Sequence, residues 1–247
     1  MTSFDLNADL GEGIGDDAAM MELVSSASIA CGGHAGDDLS MRVALRAARE
    51  AGVRVGAHPG FEDRENFGRL RLALPAEELD RQVRTQVATL CNFAAEEGLL
   101  VRYVKLHGAL ANMAAEDGAV AAVAFAAISG IVDGLSVLAI DNSAQVAMAD
   151  AMGFPVIREA YADRAYLPNG LLVPRSAEGA VLHDAGLIAE RAVRLAEAGE
   201  LVAIDGTVIA SEARSLCIHG DNAEAVAIAR AVRDALEGQG IAIRPAD

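Results

Sequence analysis

Short apolar runs alternate with longer amphipathic or apolar segments along most of this chain. The short runs predict strands near residues 4–8, 27–31, 53–57, 101–106, 136–140, 155–159 and 215–219. The longer segments predict helices near residues 38–51, 75–97, 114–128, 143–152, 183–197 and 221–237. Regular alternation of strands and helices is typical of a parallel sheet that helices cover on the outside.

Seven candidate strands favour a seven-stranded parallel (β/α) barrel, similar to a TIM barrel, over a barrel of eight strands. A length of 247 residues fits one such barrel or two small domains. Because no low-complexity linker divides the sequence, we predict a single domain over residues 1–247. Strand signals are short in residues 160–214, where we expect a long excursion near the barrel mouth, with a small hairpin at 201–210. An eighth strand would have to lie in this excursion.

Four of the five histidines, His34, His58, His107 and His219, follow apolar runs and adjoin glycine or proline. An apolar run that ends in a turn is typical of the carboxyl end of a buried strand. The carboxyl ends of barrel strands form the mouth, where catalytic residues gather. These histidines therefore predict one converging polar site. His183, at the start of a predicted helix, is expected on the surface.

Polar residues also share one face on several predicted strands, because side chains alternate between the two faces of a strand. The sets are Asp5, Asn7 and Asp9; Tyr103, Lys105 and His107; and Cys217 and His219. If these faces point inward, the barrel interior is ionic, and burial of such groups is costly unless they pair. Paired charges with perturbed pKa values in one cavity are typical of an active site.

Lys105 is the only lysine among 20 basic residues, and the others are arginine. The pKa of lysine shifts on burial, so it can act as a base or a phosphate contact, whereas a guanidinium keeps its proton. Lys105 lies two residues from His107 on the same predicted face. We favour a functional role over the alternative of a chance lysine at an exposed strand end.

Carboxylates after the first strand offer a second kind of chemistry. Asp9 and Glu12 could hold a metal or take a proton, or Asp9 could simply cap a helix. His34 and His58 with Asp9 would suit zinc or a similar divalent ion. The spacing of the histidines is not diagnostic, because no short His-x-His or His-x₃-His pair occurs. Structural or proton-carrying histidines therefore remain an alternative.

Mixed charges follow the sixth predicted strand. Glu159, Asp163, Arg164 and the later Arg175 could bind a carboxylate or a phosphate, or form a solvated loop network.

After the last strand, His219 and Asp221 could place an imidazole and a carboxylate against a substrate. Alternatively, Asp221 caps the final helix, because Glu224 completes a capping-box pattern.

The net charge of −16 argues against nucleic acid and anionic membrane surfaces as partners, since phosphates would be repelled. The longest uncharged stretch, 118–132, is shorter than the roughly 20 residues that span a bilayer. The amino terminus has no basic and apolar regions typical of a signal peptide, and three scattered cysteines make no disulfide framework. We therefore expect a cytoplasmic protein. No Walker, Gly-x-Ser-x-Gly or Gly-x-Gly-x-x-Gly motif is present, so nucleotide binding would need another mode or a partner chain.

Seven motifs together resemble the LamB/YcsF family of 5-oxoprolinase A subunits. They lie, in the family's order, at residues 5–13, 29–37, 56–60, 67–69, 104–110, 159–164 and 217–222. The match at 104–110 is partial. The resemblance implies a (β/α)7 barrel of the glycoside hydrolase/deacetylase type. It also implies ATP-dependent opening of the 5-oxoproline (pyroglutamate) lactam to L-glutamate, with subunits B and C as partners.

The family pattern falls on Asp9, Glu12, His34, His58, Lys105, His107, Asp163, Arg164, His219 and Asp221. Four positions depart from it, and one of them is Asp38, which stands where proline is common. Leu106 replaces a proline, and Ala111 and Gly33 stand where aromatic residues are common. Loss of two aromatic side chains near the mouth is expected to enlarge the pocket.

The leading hypothesis is a component of an ATP-dependent lactam hydrolase. In it Lys105 and His107 contact the activated carbonyl or phosphate, Asp9 or His58 directs water, and His219 protonates the leaving nitrogen. The substrate contacts are Asn7, Glu12, His34, Glu159, Asp163, Arg164, Arg175 and Asp221. One alternative is a metal-dependent deacetylase or amidohydrolase that acts alone through Asp9, His34 and His58. Another is a non-catalytic lactam-binding module, since the chain has no nucleotide motif.

Overall fold

The computed structural model describes residues 3–219 and 224–246 of the chain. Its strands are β1 (Ser3–Leu10), β2 (Ser26–Ala30), β3 (Arg54–His58), β4 (Val101–Val104), β5 (Ser136–Ile140), β6 (Val156–Tyr161), β7 (Glu200–Val202), β8 (Val208–Ala210), β9 (Ser215–His219) and β10 (Ala242–Ile243). Its helices are α1 (Asp17–Met21), α2 (Asp38–Ala51), α3 (Ala76–Glu96), α4 (Gly108–Glu116), α5 (Gly118–Ile128), α6 (Ala144–Ala151), α7 (Ala185–Ala198) and α8 (Ala225–Gly238).

Strands β1 to β6 and β9 form a closed barrel in which every neighbouring pair is parallel. Pairing of β1 with β9 closes it, with Asp5 opposite Ser215 and Asp9 opposite His219. The short β10 adds a parallel bridge at the amino end of β1. The seven predicted barrel strands are confirmed, and β7 and β8 form the antiparallel hairpin expected at 201–210.

The helices differ from prediction at two places. The helix predicted at 114–128 is wrong as a single element: α4 begins directly after His107, and α5 begins after a break at Asp117. The Asp117 side chain accepts a hydrogen bond from the backbone N–H of Ala119, which makes it the amino-terminal cap of α5. The short α1 was not predicted. The predicted start of the last helix at Asp221 lies outside the described residues.

The apolar core lies between the barrel and its helices. Phe4, Leu6, Ala8 and Leu10 on the outer face of β1 are buried, as is the predicted stripe of α3 at Leu79, Val83, Val87, Leu90 and Ala94. Full burial of such a side chain contributes about 1.5–3 kcal/mol for Val, Leu or Phe. No helix in the described part of the chain is long and apolar enough to cross a membrane.

The inner face of the barrel is polar, as the alternation of β1 predicts. Asp5 accepts hydrogen bonds from Ser25, Ser26 and Ser215, while burial raises the pKa of its carboxyl. The Tyr103 ring fills the space beside Gly56, where a Cβ atom would lie 2.1 Å from it. Only glycine fits there, so this lower layer is closed and the functional groups lie above it.

Candidate active site

A cavity of about 410 Å³ lies at the carboxyl ends of the barrel strands. Its polar floor comprises Asp9, Glu12, His58, His107 and His219. The structure therefore brings the ends of β1, β3 and β9 to one place, together with the loop that precedes α4. Of the four histidines expected to converge, His58, His107 and His219 line the cavity, whereas His34 is buried and does not line it.

Lys105 lies beneath this floor and does not line the cavity. It is 1% exposed, and its Nζ atom lies 2.8 Å from Asp9 Oδ1 and 3.0 Å from Glu159 Oε1. The amine also donates to Asn7 Oδ1 and contacts Cys217 Sγ. Burial alone would lower the pKa of Lys105, but Asp9 and its other partners raise it well above the usual value. Lys105 is therefore a fixed cation under the site.

The two carboxyl groups that share Lys105 ionise differently. Burial opposes ionisation of Asp9, but His58 and Lys105 hold the pKa of its carboxyl well below the usual value. Burial raises the pKa of Glu159, and the Oε2 atom of Glu159 has no hydrogen-bond partner within the described residues. Asp9 is thus the more readily ionised of the two carboxyl groups that contact Lys105, and Glu159 is the less readily ionised one.

His58 connects Asp9 with His107. The Nδ1 of His58 lies 2.8 Å from the carbonyl oxygen of Lys105 and donates to it. His107 likewise donates from Nε2 to the carbonyl oxygen of Phe67, so its Nδ1 accepts from His58 Nε2 at 2.9 Å. The Asp9 carboxylate lies 3.4 Å from the same Nε2 atom of His58.

His34 completes a cluster of three imidazoles, which we call the histidine cluster (His34, His58 and His107). Its ring stacks on His107 with centroids 3.5 Å apart, and its Nε2 lies 3.1 Å from Glu12 Oε1. Burial, with His58 nearby, holds the pKa of His34 well below the usual value. Gly68, with φ +62°, passes over this stack, where a Cβ atom would lie 2.6 Å from the Cβ of His34.

The histidine cluster also resembles a metal site in its donor atoms. Glu12, His34, His58 and His107 each offer one donor atom, and these atoms lie within 4.8 Å of one another. Neutral imidazoles and a carboxylate are ligands that zinc accepts, so the residues fit such an ion. The set contains His34 and His58 from the predicted ligands, whereas the predicted Asp9 is bound to Lys105.

His219 forms a separate pair with Asp163, which we call the dyad. Its Nδ1 donates to Asp163 at 2.9 Å, and its side chain lines the cavity. Burial opposes ionisation of Asp163, but His219 holds the pKa of its carboxyl below the usual value. The Tyr161 ring packs against the imidazole with centroids 5.4 Å apart. A carboxylate that fixes the tautomer of a histidine is typical of a proton-transfer group.

The arginines predicted as substrate contacts divide into two kinds. Arg164 is buried, and its guanidinium donates to the carbonyl oxygens of Val173 and Ala180, so it mainly holds the excursion in place. Arg175 is exposed, and both arginines line the cavity. Asp221, also predicted as a contact, lies outside the described residues.

The sequence patterns do not single out Tyr161, Arg69 or Arg71, which also line the cavity. Alternation along β6 from the inward Glu159 would have found Tyr161 two residues later. The two arginines lie in an irregular segment, where side-chain direction follows no period.

Two positions were expected to enlarge the pocket by loss of an aromatic side chain. Ala111 lines the cavity, as does Leu106, another departure from the family pattern. Gly33 packs against Gln86 instead, since a Cβ atom there would lie 2.4 Å from the Gln86 side chain. The space is therefore gained at Ala111.

Comparisons with known proteins agree along the whole chain. A family model described as the LamB/YcsF family matches residues 4–247. A protein of Agrobacterium fabrum, named as the first of its 5-oxoprolinase A subunits, is 48% identical over 249 residues, which cover 99% of this chain and 98% of that protein. The crystal structure of a lactam utilization protein from Thermus thermophilus superposes with a TM-score of 0.92 and 40% identity. That match covers 98% of this chain and 99% of the other.

A more distant structure supports the fold alone. The family 4 carbohydrate esterase from Streptomyces lividans matches with a TM-score of 0.51 and 12% identity, over 98% of this chain and 91% of that one. The expected similarity to deacetylase-type barrels is confirmed at the level of fold.

Proposed function

Because the chain belongs to the LamB/YcsF family, we propose that it is the A subunit of an ATP-dependent 5-oxoprolinase, acting with subunits B and C. In this proposal the complex opens the lactam of 5-oxoproline to L-glutamate as ATP is hydrolysed. The observation that carries it is the pairing of Asp9 with His219 across β1 and β9, which sets two proton-transfer groups side by side on one cavity floor. Full-length similarity to proteins named as 5-oxoprolinase components supports the same conclusion.

The chemistry assigned to these groups follows from their charges. Opening of the lactam is uphill, so phosphorylation of its amide oxygen by ATP would activate the carbonyl carbon. Asp9, an ionised carboxylate with His58 beside it, takes the proton of the attacking water. His219, held by Asp163, delivers a proton to the departing ring nitrogen. Lys105 acts from below by keeping Asp9 ionised.

Use of ATP is assigned to the complex rather than to this chain, because the sequence has no phosphate-binding motif. Arg69 and Arg175 line the cavity, and they suit an anionic group that enters from the mouth. The three cysteines are unpaired, which together with the need for ATP supports a cytoplasmic location.

The test is coexpression with subunits B and C, followed by measurement of glutamate and ADP formed from 5-oxoproline and ATP. We expect both products with the complete complex. We expect glutamate release to be lost with Asp9→Asn or His219→Gln, and kept with His183→Ala, since that histidine is exposed away from the site. Absence of glutamate with all three subunits present would refute the proposal. Tight binding of 5-oxoproline without turnover would instead favour a lactam-binding module.

The second candidate is a metal-dependent amidohydrolase or deacetylase that acts without ATP, and the donor cluster favours it. Glu12, His34, His58 and His107 would hold the ion, which would supply a Lewis acid and an activated water. Metal analysis and an assay of simple amides with the isolated chain decide between the two. Less than about one equivalent of transition metal, with no amide hydrolysis, would eliminate this candidate.

A further inference from the structure

The cavity has two unlike halves. Opposite its polar floor stands an apolar wall, which we define as Ala111, Ala115, Ile140, Leu172, Val173 and Pro174. Two of these residues lie on α4, one ends β5, and three belong to the excursion that follows β6. The groups proposed for lactam opening all lie on the floor, so the chemistry assigned above makes no use of this wall.

The wall is held in place from behind. The guanidinium of Arg164 donates to the carbonyl oxygen of Val173 at 2.6 Å, and the Val173 N–H donates to the carbonyl oxygen of Ala165. Leu172 forms an antiparallel bridge with Tyr166. Because these bonds fix the backbone, the apolar surface is already formed before any ligand arrives.

Small residues leave room beside the catalytic floor. Ala111 and Ala115 are four residues apart and therefore share one face of α4. The Ala111 N–H donates to the carbonyl oxygen of His107, so the space above its methyl group opens one helical turn from the histidine cluster. A larger side chain at position 111 would project into the cavity.

The cavity volume of about 410 Å³ lies within the range of roughly 300–1,000 Å³ that holds drug-sized ligands. Unsubstituted 5-oxoproline is a small ring with one carboxylate, and its ring methylenes are too small to cover the wall. We infer that this site takes a 5-oxoproline-type lactam with an apolar ring substituent, which packs between α4 and the 172–174 segment. The inference rests on the proposed function, and it names the class of substrate.

The experiment compares kcat/KM of the complete three-subunit complex for 5-oxoproline and for 4-benzyl-5-oxoproline, with ATP present. Because even one methylene in a fitting pocket changes kcat/KM by about 10-fold or more, we expect a preference of at least that size for the benzyl compound. Ala111→Tyr should lower the ratio by at least about 10-fold, since the ring fills the space. Ala126→Tyr, at an exposed position of α5, should leave the ratio unchanged.

A second variant keeps the test independent of whether Ala111→Tyr folds. Leu172→Ser removes apolar surface from the opposite side, and it should also lower the ratio. Turnover of 5-oxoproline with a ratio below one would overturn the inference and leave the proposed function standing. Competition between the benzyl compound and ATP would also overturn the inference and leave the proposed function standing, because the wall would then bind adenine. If the complex turned over neither lactam, both this inference and the proposed function would be refuted.

Discussion

The histidine cluster reaches the cavity through His58 and His107, and the dyad reaches it through His219, but the two groups hold protons by different means. In the cluster, burial and neighbouring imidazoles hold the pKa values of His34 and His107 well below the usual value. In the dyad, an imidazole meets a carboxylate, and His219 holds the pKa of Asp163 below its usual value against the effect of burial. Both groups arise from histidines at strand ends, so what lies opposite each ring decides its chemistry.

The difference explains how one floor can offer both an acceptor and a donor of protons. His34 and His107 are driven towards neutral rings that accept hydrogen bonds or bind an ion, and His58 links His107 to the Asp9 carboxylate. The dyad keeps one ring pointed into the cavity with a fixed tautomer. Substitutions can separate these two roles.

The largest effect is expected from breaking the cluster at its centre. His58→Ala removes the link between Asp9 and His107, and we expect kcat of the complete complex to fall by about 10²–10⁴-fold. Glutamate release measures this loss. His183→Ala serves as the control because the His183 side chain is 68% exposed. If His58→Ala retained more than a tenth of the activity, the cluster would not be part of the chemistry.

The second-largest effect is expected from substitution of Lys105, the cation beneath the histidine cluster. Lys105→Met leaves the Asp9 carboxylate buried without its counter-charge, so the free energy of unfolding should fall by about 3–5 kcal/mol in denaturant titrations. Arg102→Met, at an exposed position of β4, should have little effect. Addition of Asp9→Asn to Lys105→Met should restore part of the loss. Equal stability of the single and double variants would argue against this pairing.

A smaller effect is expected in the dyad. Asp163→Asn leaves His219 in place but removes the carboxylate that fixes its tautomer, and we expect kcat to fall by about 10²-fold. Since the cluster is intact, ADP should continue to form while glutamate release slows. Equal losses of ADP and glutamate would show that the two groups act as one unit.

The smallest effect concerns stability and pH. The lowered pKa of Asp163 means that its ionised form stabilises the fold at pH values above the unfolded value of about 3.9. This contribution is lost as pH falls through the lower folded value. The difference in unfolding free energy between wild type and Asp163→Asn should therefore be constant near pH 5–6 and shrink in more acid solution. A difference that grew on acidification would contradict the charge assigned to the dyad.

Hydrophobic periodicity was sufficient to predict the barrel, because each strand is a short apolar run with one buried outer face. Alternation along β1 also predicted the inward row of Asp5, Asn7 and Asp9. The break between α4 and α5 was missed, since alanines continue through it and only the cap at Asp117 marks it. The boundary between α4 and α5 is set by the capping hydrogen bond of Asp117, and the hydrophobic pattern does not indicate it.

The site was harder to predict than the barrel. Sequence placed Lys105 on an inward face, but not at a depth where Asp9 and Glu159 surround it, because depth depends on the registers of other strands. Arg164 lines the cavity, as a ligand contact would, but the sequence did not show that its guanidinium also donates to backbone carbonyls of the excursion. Because every residue has a backbone carbonyl, the sequence does not identify such partners. The roles given to individual residues remain predictions that the substitutions above address.

Because the only lysine of this chain is buried, its chemical reactivity reports on opening of the barrel. Lys105 is 1% exposed, so reagents that acylate lysine cannot reach its ε-amine while the barrel is closed. Acylation at position 105 would then count opening events, in the way that hydrogen exchange counts them for amides. In mixtures with partner subunits, cross-links through lysine side chains would come from the partners' lysines as long as this barrel stays folded, because this chain has no other lysine.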